Sequence, residues 1–296
     1  MKVGFIGIGI MGKPMSRNLL KHGYELTITD VNQAAVDELV QEGAKSAATP
    51  AEVARVSDII ITMLPNNEIV KNVILGENGI VQGAKPGTIV VDMSSVSPIV
   101  SREVAAALRE RGLHLLDAPV SGGEPKAIDG TLSIMVGGDE EVFKKAEPVL
   151  AAMGKDITLV GANGCGSIAK LANQIIVNVN IAAMSEAFVL AAKTGIDVEK
   201  MYQAIRGGLA GSTVLDAKAP MVLERNFTPG GRVDINMKDL TNVMETAEQE
   251  NVPLPLTSHV LNIFATLKSE GKQGLDHSGI VQYYENLAGV TVEKRK

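Results

Sequence analysis

Gly7-Ile8-Gly9-Ile10-Met11-Gly12 carries the most specific chemical signal in the chain. It follows a short apolar run, Lys2 to Ile6, and precedes a segment with helical spacing, Lys13 to Lys21. In a strand–turn–helix unit each glycine has its own task. Gly7 permits the tight turn, Gly9 lets the backbone approach a pyrophosphate, and Gly12 lets helix and strand pack closely. The helix start adds unpaired amides and the positive end of a dipole, which favour an anion. Asp30 closes the second apolar run, 18 residues after Gly12, where such units place the group that meets the adenosine ribose. Its carboxylate would accept from the ribose hydroxyls and repel a 2′-phosphate, and Val31-Asn32-Gln33 offers no cation to receive one. These signals point to NAD, with NADH preferred over NADPH; a turn or helix-cap aspartate is the plainer alternative for Asp30.

Other groups carry weaker signals. Met63-Leu64-Pro65-Asn66 and Met93-Ser94-Ser95 follow two further strand-like runs, at the carboxyl edge where ligands bind in such sheets. Taken alone they serve equally well as strand-to-helix loops with Ser or Asn caps. Asp117-Ala118-Pro119-Val120-Ser121-Gly122-Gly123 supplies a hydroxyl and, at its two glycines, unobstructed amides suited to a carboxylate. Ser-Gly-Gly is also ordinary turn chemistry. Lys170 and Asn173, three apart, share one face of a helix. A lysine in a cleft can protonate a carbonyl oxygen, with burial or a nearby cation moving its pKa toward neutrality. On most helices such a lysine is simply solvated. His22, His114 and His259 fit no triad or metal spacing, and Asp276 beside His277 reads as a helix cap.

Short β-rich runs must position these groups: Lys2 to Ile6, Glu25 to Thr29, Asp58 to Met63, Thr88 to Asp92, Leu113 to Asp117, Leu132 to Val136 and Ile157 to Val160. Their alternation with amphipathic segments, two of them stopped by Gly43 and Gly112, predicts a mostly parallel α/β sheet. After Gly161 to Gly166 the pattern changes. Ser167 to Lys193 holds no turn signal and predicts one long helix, and apolar spacing predicts five more between Asp197 and Leu287. The expected domains are therefore 1–165, which binds the dinucleotide, and 166–296, all-helical and joined through the long helix. A length of 296 residues agrees with two domains.

The net charge of −6 disfavours nucleic acid and anionic membranes as partners, and one cysteine, Cys165, excludes an internal disulfide or a cysteine zinc site. The apolar start resembles a secretory signal only superficially, because Gly4, Gly7 and Gly9 interrupt it and Lys13-Pro14 follows. Leu171 to Ser185 is uncharged but only 15 residues long and contains Asn173, Gln174, Asn178 and Asn180, too short and polar to span a bilayer. A cytoplasmic location is the expectation.

At these residues the sequence resembles the β-hydroxyacid dehydrogenase family from end to end. The likeness lies in Gly4-Phe5-Ile6-Gly7-Ile8-Gly9-Ile10-Met11-Gly12-Lys13-Pro14-Met15, in the Asp117 to Gly123 loop, and in Gly130-Thr131-Leu132-Ser133. It continues in Lys170-Leu171-Ala172-Asn173-Gln174 and Lys238-Asp239-Leu240. The resemblance implies a Rossmann domain, a helical C-terminal domain used for homo-oligomerisation, and an active site in the cleft between them. It makes Lys170 the catalytic acid, Ser121, Gly122 and Gly123 the carboxylate-binding loop, and Asn173 a partner that orients substrate and lysine. Leu64 and Pro65, from their place beyond a strand end, could line the dinucleotide; the resemblance implies Lys238 near the nicotinamide and matches Ser95 to a cofactor contact. The adjacent Ser94 leaves that register open by one residue.

Within the family, Arg206-Gly207-Gly208-Leu209-Ala210-Gly211-Ser212 and Asp276-His277-Ser278 resemble the branch that reduces a short aldehyde acid. The alternatives are a dehydrogenase of branched 3-hydroxy acids and a dinucleotide-binding protein without catalysis, and Lys170 argues against the second. Gln174, where many members have a second Asn, and Cys165, where a small residue is commoner, depart from the family pattern.

Overall fold

Strands and helices alternate through the first half of the computed structural model, which describes residues 1–294. In chain order they are β1 (Lys2–Ile6), α1 (Gly12–Lys21), β2 (Glu25–Thr29), α2 (Gln33–Gln41), β3 (Lys45–Ser46), α3 (Pro50–Arg55), β4 (Ile59–Thr62) and α4 (Asn67–Leu75). Next come β5 (Ile89–Asp92), α5 (Pro98–Arg109), β6 (His114–Asp117), β7 (Val120–Ser121), α6 (Gly123–Asp129), β8 (Leu132–Gly137), α7 (Glu140–Leu150) and β9 (Gly154–Gly161). The sheet order is β3-β2-β1-β4-β5-β6-β8-β7, with β9 on β8. From β3 to β6 every pairing is parallel, whereas β8 runs antiparallel to β6 and β7. This is the expected α/β class with a Rossmann-type order.

The run of three isoleucines that opens β4 follows from burial on both faces. Ile59 and Ile61 enter the core that contains Phe5, Met15 and Leu19, while Ile60 enters the core that contains Val53, Val100 and Leu108. Alternate side chains leave a strand on opposite faces, so one run of isoleucines feeds both layers. Gly43 and Gly112, with φ of +111° and +69°, stand just past α2 and α5 in the conformation their helix ends need. β3 and β7, two residues each, lie outside the predicted runs. They form only because neighbouring strands offer a register.

The chain divides into two compact units, Met1–Lys170 and Leu171–Lys296. Helix α8 (Cys165–Thr194) starts in the first and continues into the second. By length and composition alone, α8 is long and apolar enough to cross a membrane. That corrects the sequence reading, which judged 15 uncharged residues too short. In this fold α8 is a core helix: its Ile181 and Phe188 are fully buried with Phe264, Val222 and Ile280. Asn178 and Ser185 are buried too and bond back to the carbonyls of Gln174 and Ile181. Around it lie α9 (Val198–Ile205), α10 (Thr213–Leu223), α11 (Val233–Gln249), α12 (Pro255–Ser269) and α13 (Val281–Ala288).

One buried carboxylate organises the loop before α11. Asp276 accepts from Lys218 Nζ at 2.9 Å and from the amides of Gly230, Gly231 and Ser278 at 3.0 Å. The Ser278 bond is the helix-cap role read from the sequence. Burial opposes its charge, but His277, Lys218 and the Ser278 amide outweigh this and hold the carboxyl below the usual range. Asp276→Ala leaves Lys218, whose side chain is 14% exposed, without its counter-charge. A loss of about 3–5 kcal/mol is expected, read from the midpoint of urea unfolding. A loss under about 1 kcal/mol would show that water replaces the carboxylate.

Candidate active site

The direction of the connections reverses between β1 and β4, since the chain runs from β1 out to β3 and then returns to β4, β5 and β6. A crevice at the carboxyl ends of such strands is where open α/β sheets bind ligands. Gly7 to Gly12 follows β1, Asp30 follows β2, Leu64 and Pro65 follow β4, and Ser95 follows β5. The first unit therefore places all these predicted residues on one edge of four neighbouring strands.

The three glycines differ in what surrounds them. A Cβ added at Gly12 would lie 2.0 Å from the Gly7 carbonyl oxygen, and one at Gly7 2.4 Å from that of Met63. Gly7 and Gly12 are thus required by the protein's own packing. A Cβ at Gly9 would meet nothing within 4 Å, and Gly9 is exposed. Its bare backbone keeps open the space a pyrophosphate needs, so the turn fits a dinucleotide.

Asp30 is more constrained than its sequence position suggests. Its carboxylate accepts from Ile8 N–H and Asn32 N–H, each at 2.7 Å. It therefore ties the glycine turn to the end of β2, the turn-forming role that is the plainer reading of this residue. Ser94 and Ser95 separate clearly. The Ser94 hydroxyl is buried, donates to Asp92 at 2.5 Å and accepts from Leu64 N–H at 2.8 Å, while Ser95 is half-buried. Ser94 braces the β4 and β5 loops, and Ser95 is the residue nearer solvent.

β6 ends at Asp117, and the chain passes through β7 to Ser121, Gly122 and Gly123. Both glycines have positive φ, +136° and +67°, a turn in which L side chains are strained. Asp117 accepts from the amides of Gly164 at 2.8 Å and Ser167 at 2.9 Å, at the start of α8. Burial raises its pKa to about 6, although those amides favour the carboxylate. The native state thus holds this proton more tightly than the unfolded chain does. The contribution of Asp117 to stability is full below its ordinary value of 3.8 and is lost as pH rises to about 6. Lys170 lies in the next turn of α8, half-buried.

The second unit holds the half-buried Asn173 and Lys238 in one network around the buried Gln174, Asn236 and Asp239. Asn173 Nδ2 donates to Gln174 Oε1 at 2.9 Å, and Gln174 Nε2 donates to Asp239 Oδ2 at 2.7 Å and Asn236 Oδ1 at 3.3 Å. Lys238 Nζ lies 3.0 Å from Asp239 Oδ1, an ion pair. Gln174 is the departure from the family pattern, and its extra methylene carries the amide to Asp239. His277 is buried, with Nδ1 3.1 Å from Asn178 Oδ1. Sequence reasoning assigned no role to Asp92, Asp117, Gln174, Asn236 or Asp239. For Asp117 and Asp239 a signal existed, since both lie inside recognised motifs; Asp92 and Asn236 have no mark beyond a polar residue in an apolar surrounding.

Residues 2–161 match the family model for the NAD-binding domain of 6-phosphogluconate dehydrogenase. Residues 164–284 match the model for the NAD-binding of NADP-dependent 3-hydroxyisobutyrate dehydrogenase. The chain is 45% identical to 2-hydroxy-3-oxopropionate reductase of Escherichia coli (strain K12), over 97% of this chain and 98% of that one. It is 41% identical to 2-(hydroxymethyl)glutarate dehydrogenase of Eubacterium barkeri, over 99% and 97%. Among solved structures, 3-hydroxyisobutyrate dehydrogenase of Mycobacterium tuberculosis with L-serine superposes with a TM-score of 0.89 at 32% identity, covering 96% of this chain and 98% of that one. Two matching family models, relatives of nearly equal length and a glycine turn shaped for a dinucleotide agree: the chain belongs to the β-hydroxyacid dehydrogenase family and is an oxidoreductase that acts on CH–OH groups with a nicotinamide cofactor.

Proposed function

We propose that this enzyme uses NADH to reduce tartronate semialdehyde (2-hydroxy-3-oxopropanoate) to glycerate. The observation that carries the reading is the 45% identity, over almost the whole chain, to a reductase of that substrate. When bound, the nicotinamide supplies hydride to the aldehyde carbon. Lys170 donates the proton that the developing alkoxide needs. The Ser121 hydroxyl and the Gly122 and Gly123 amides hold the substrate carboxylate. Asn173 orients lysine and substrate, its amide set by Gln174, and Lys238 serves the nicotinamide side with its ammonium held against Asp239.

Substrate choice follows the loop between α9 and α10. Arg206 pairs with Asp216 at 3.0 Å and lies over the Tyr202 ring at 5.1 Å, so the glycine-rich run Gly207 to Gly211, with Leu209 at its middle, starts from an anchored end. Such a loop suits a compact polar substrate. Steady-state kcat/KM for tartronate semialdehyde should exceed that for 3-hydroxyisobutyrate oxidation, and the reverse order would place the enzyme with the branched-acid dehydrogenases.

Asp30 supports NADH over NADPH, although the model matching residues 164–284 is described for an NADP-dependent enzyme. Equal or better kcat/KM with NADPH would overturn the preference. Asp30→Ser should narrow the gap. It should also weaken NADH itself, because the tie to Ile8 N–H is lost.

The reading includes a cytoplasmic enzyme, supported by a single cysteine, and a homo-oligomer formed through the helical unit. Supporting the oligomer, a groove of about 410 Å³ is lined by Ile175, Ile176, Val179, Leu254 and Leu256, and Ile176 and Leu256 are 62% and 67% exposed. Light scattering that finds a monomer at micromolar concentration would contradict it.

A further inference from the structure

We propose that Asp117 is a positioning residue for this reaction: its carboxylate fastens the loop that carries Ser121 to the first turn of the helix that carries Lys170, and so holds hydroxyl and ammonium in one frame. The proposal rests on the reading of Lys170 as proton donor.

Asp117 is the last residue of β6 and stands four residues before Ser121. Its two oxygens serve two different donors, Oδ1 the Gly164 amide and Oδ2 the Ser167 amide. These are among the amides that a helix start leaves without intrahelical partners. Ser167 and Lys170 are three apart, hence on one face of α8, so a turn of the helix at Ser167 carries Lys170 with it. A second tie holds the same turn, since Ser167 Oγ lies 2.9 Å from Ser101 Oγ on α5.

The surrounding backbone leaves no room for slippage. A Cβ on Gly166 would lie 2.2 Å from the Asp117 carbonyl oxygen and 2.5 Å from that of Met135. One on Gly137 would lie 2.6 Å from the Gly166 amide nitrogen and 2.7 Å from Asp117 Oδ1. Strand ends and helix start therefore meet backbone to backbone, with the Asp117 carboxylate set between them.

A simple cap does not explain the residue type. Ser, Thr or Asn caps a helix without a buried charge. Asp117 is 1% exposed, and the carboxyl resists ionising there. Two oxygens accepting from two amides are what only the carboxylate provides, because an asparagine would turn its NH₂ toward one of the donors. The fold thus accepts a less stable group in exchange for a helix start fixed at two points.

The test is Asp117→Asn in the full-length enzyme, read by hydrogen exchange without ligand, NADH titration and turnover per NADH site. Exchange across residues 164–170 should accelerate at least about tenfold. Turnover should fall about 100-fold, as expected for a misplaced proton donor, with the NADH Kd and the aldehyde KM changed by less than about threefold. Asp117→Ser, which leaves one short uncharged acceptor in place of two oxygens, should reproduce the loss if Asp117→Asn does not fold. Faster exchange with full turnover per site would overturn the proposal, as would unchanged exchange. Failure of both variants to fold would assign Asp117 a structural role instead. Lys170→Ala measured in parallel separates the two claims: if it keeps its turnover, the proton-donor reading falls and the positioning role falls with it. If only Asp117→Asn keeps its turnover, the donor reading stands alone.

Discussion

Lys170→Ala should lower kcat by about 10²–10⁴ while the NADH Kd stays within about twofold. Hydride arrival converts the carbonyl oxygen to an alkoxide, and a positioned ammonium both stabilises that charge and delivers the proton. The dinucleotide is assigned to other parts of the fold, the Gly7 to Gly12 turn and Asp30, which lie after β1 and β2 rather than on α8. Lys170→Arg should not rescue turnover, because guanidinium stays protonated at every working pH and presents a planar fork of donors. Stopped-flow hydride transfer and NADH fluorescence titration of the same variant examine both halves. Near-normal turnover would remove Lys170 from the chemistry; lost NADH binding would make its role structural.

The glycine turn yields the second large effect, and two of its members should fail in different ways. Gly9→Ala should fold with an unchanged Tm, because its Cβ meets no protein atom within 4 Å. It should nevertheless weaken NADH binding by at least about tenfold, since that methyl occupies the space of the pyrophosphate. Gly12→Ala brings a methyl 2.0 Å from the Gly7 carbonyl oxygen, so α1 must move away from β1. A stability loss of about 1–3 kcal/mol or more is expected along with lost binding. Calorimetry on the ligand-free variants distinguishes them. Tight NADH binding by Gly9→Ala would mean that the pyrophosphate does not cross this turn.

Strong local signals account for what the sequence determined by itself. The periods of β1 and β2 come from runs of apolar and β-branched residues, whose boundaries match the predicted ones residue for residue. Glycine, with its access to left-handed backbone, marked the ends of α2 and α5 and the turn after β1. Lys170 and Asn173 could be placed on one helix face because helical spacing is a property of the chain alone. The family likeness then supplied roles that residue types by themselves left open.

Only the tertiary structure decided the rest, because the deciding contacts join residues far apart in the chain. Asp117 meets Gly164 and Ser167 across 47 and 50 residues, and Gln174 meets Asp239 across 65. No local pattern encodes such a pairing. β7 has two residues and exists because β8 offers it a ladder. The apolar length of α8 suits a membrane or a core equally well, and the packing of Ile181 and Phe188 against other helices made it a core helix. Ser94 and Ser95 differ for the same reason: the Leu64 amide, 30 residues away, donates to the buried Ser94 hydroxyl, while Ser95 is half-buried. Composition and spacing determine which groups are available and which elements carry them; which buried carboxylate faces which amide is settled when the distant segments pack and bring buried donors and acceptors together.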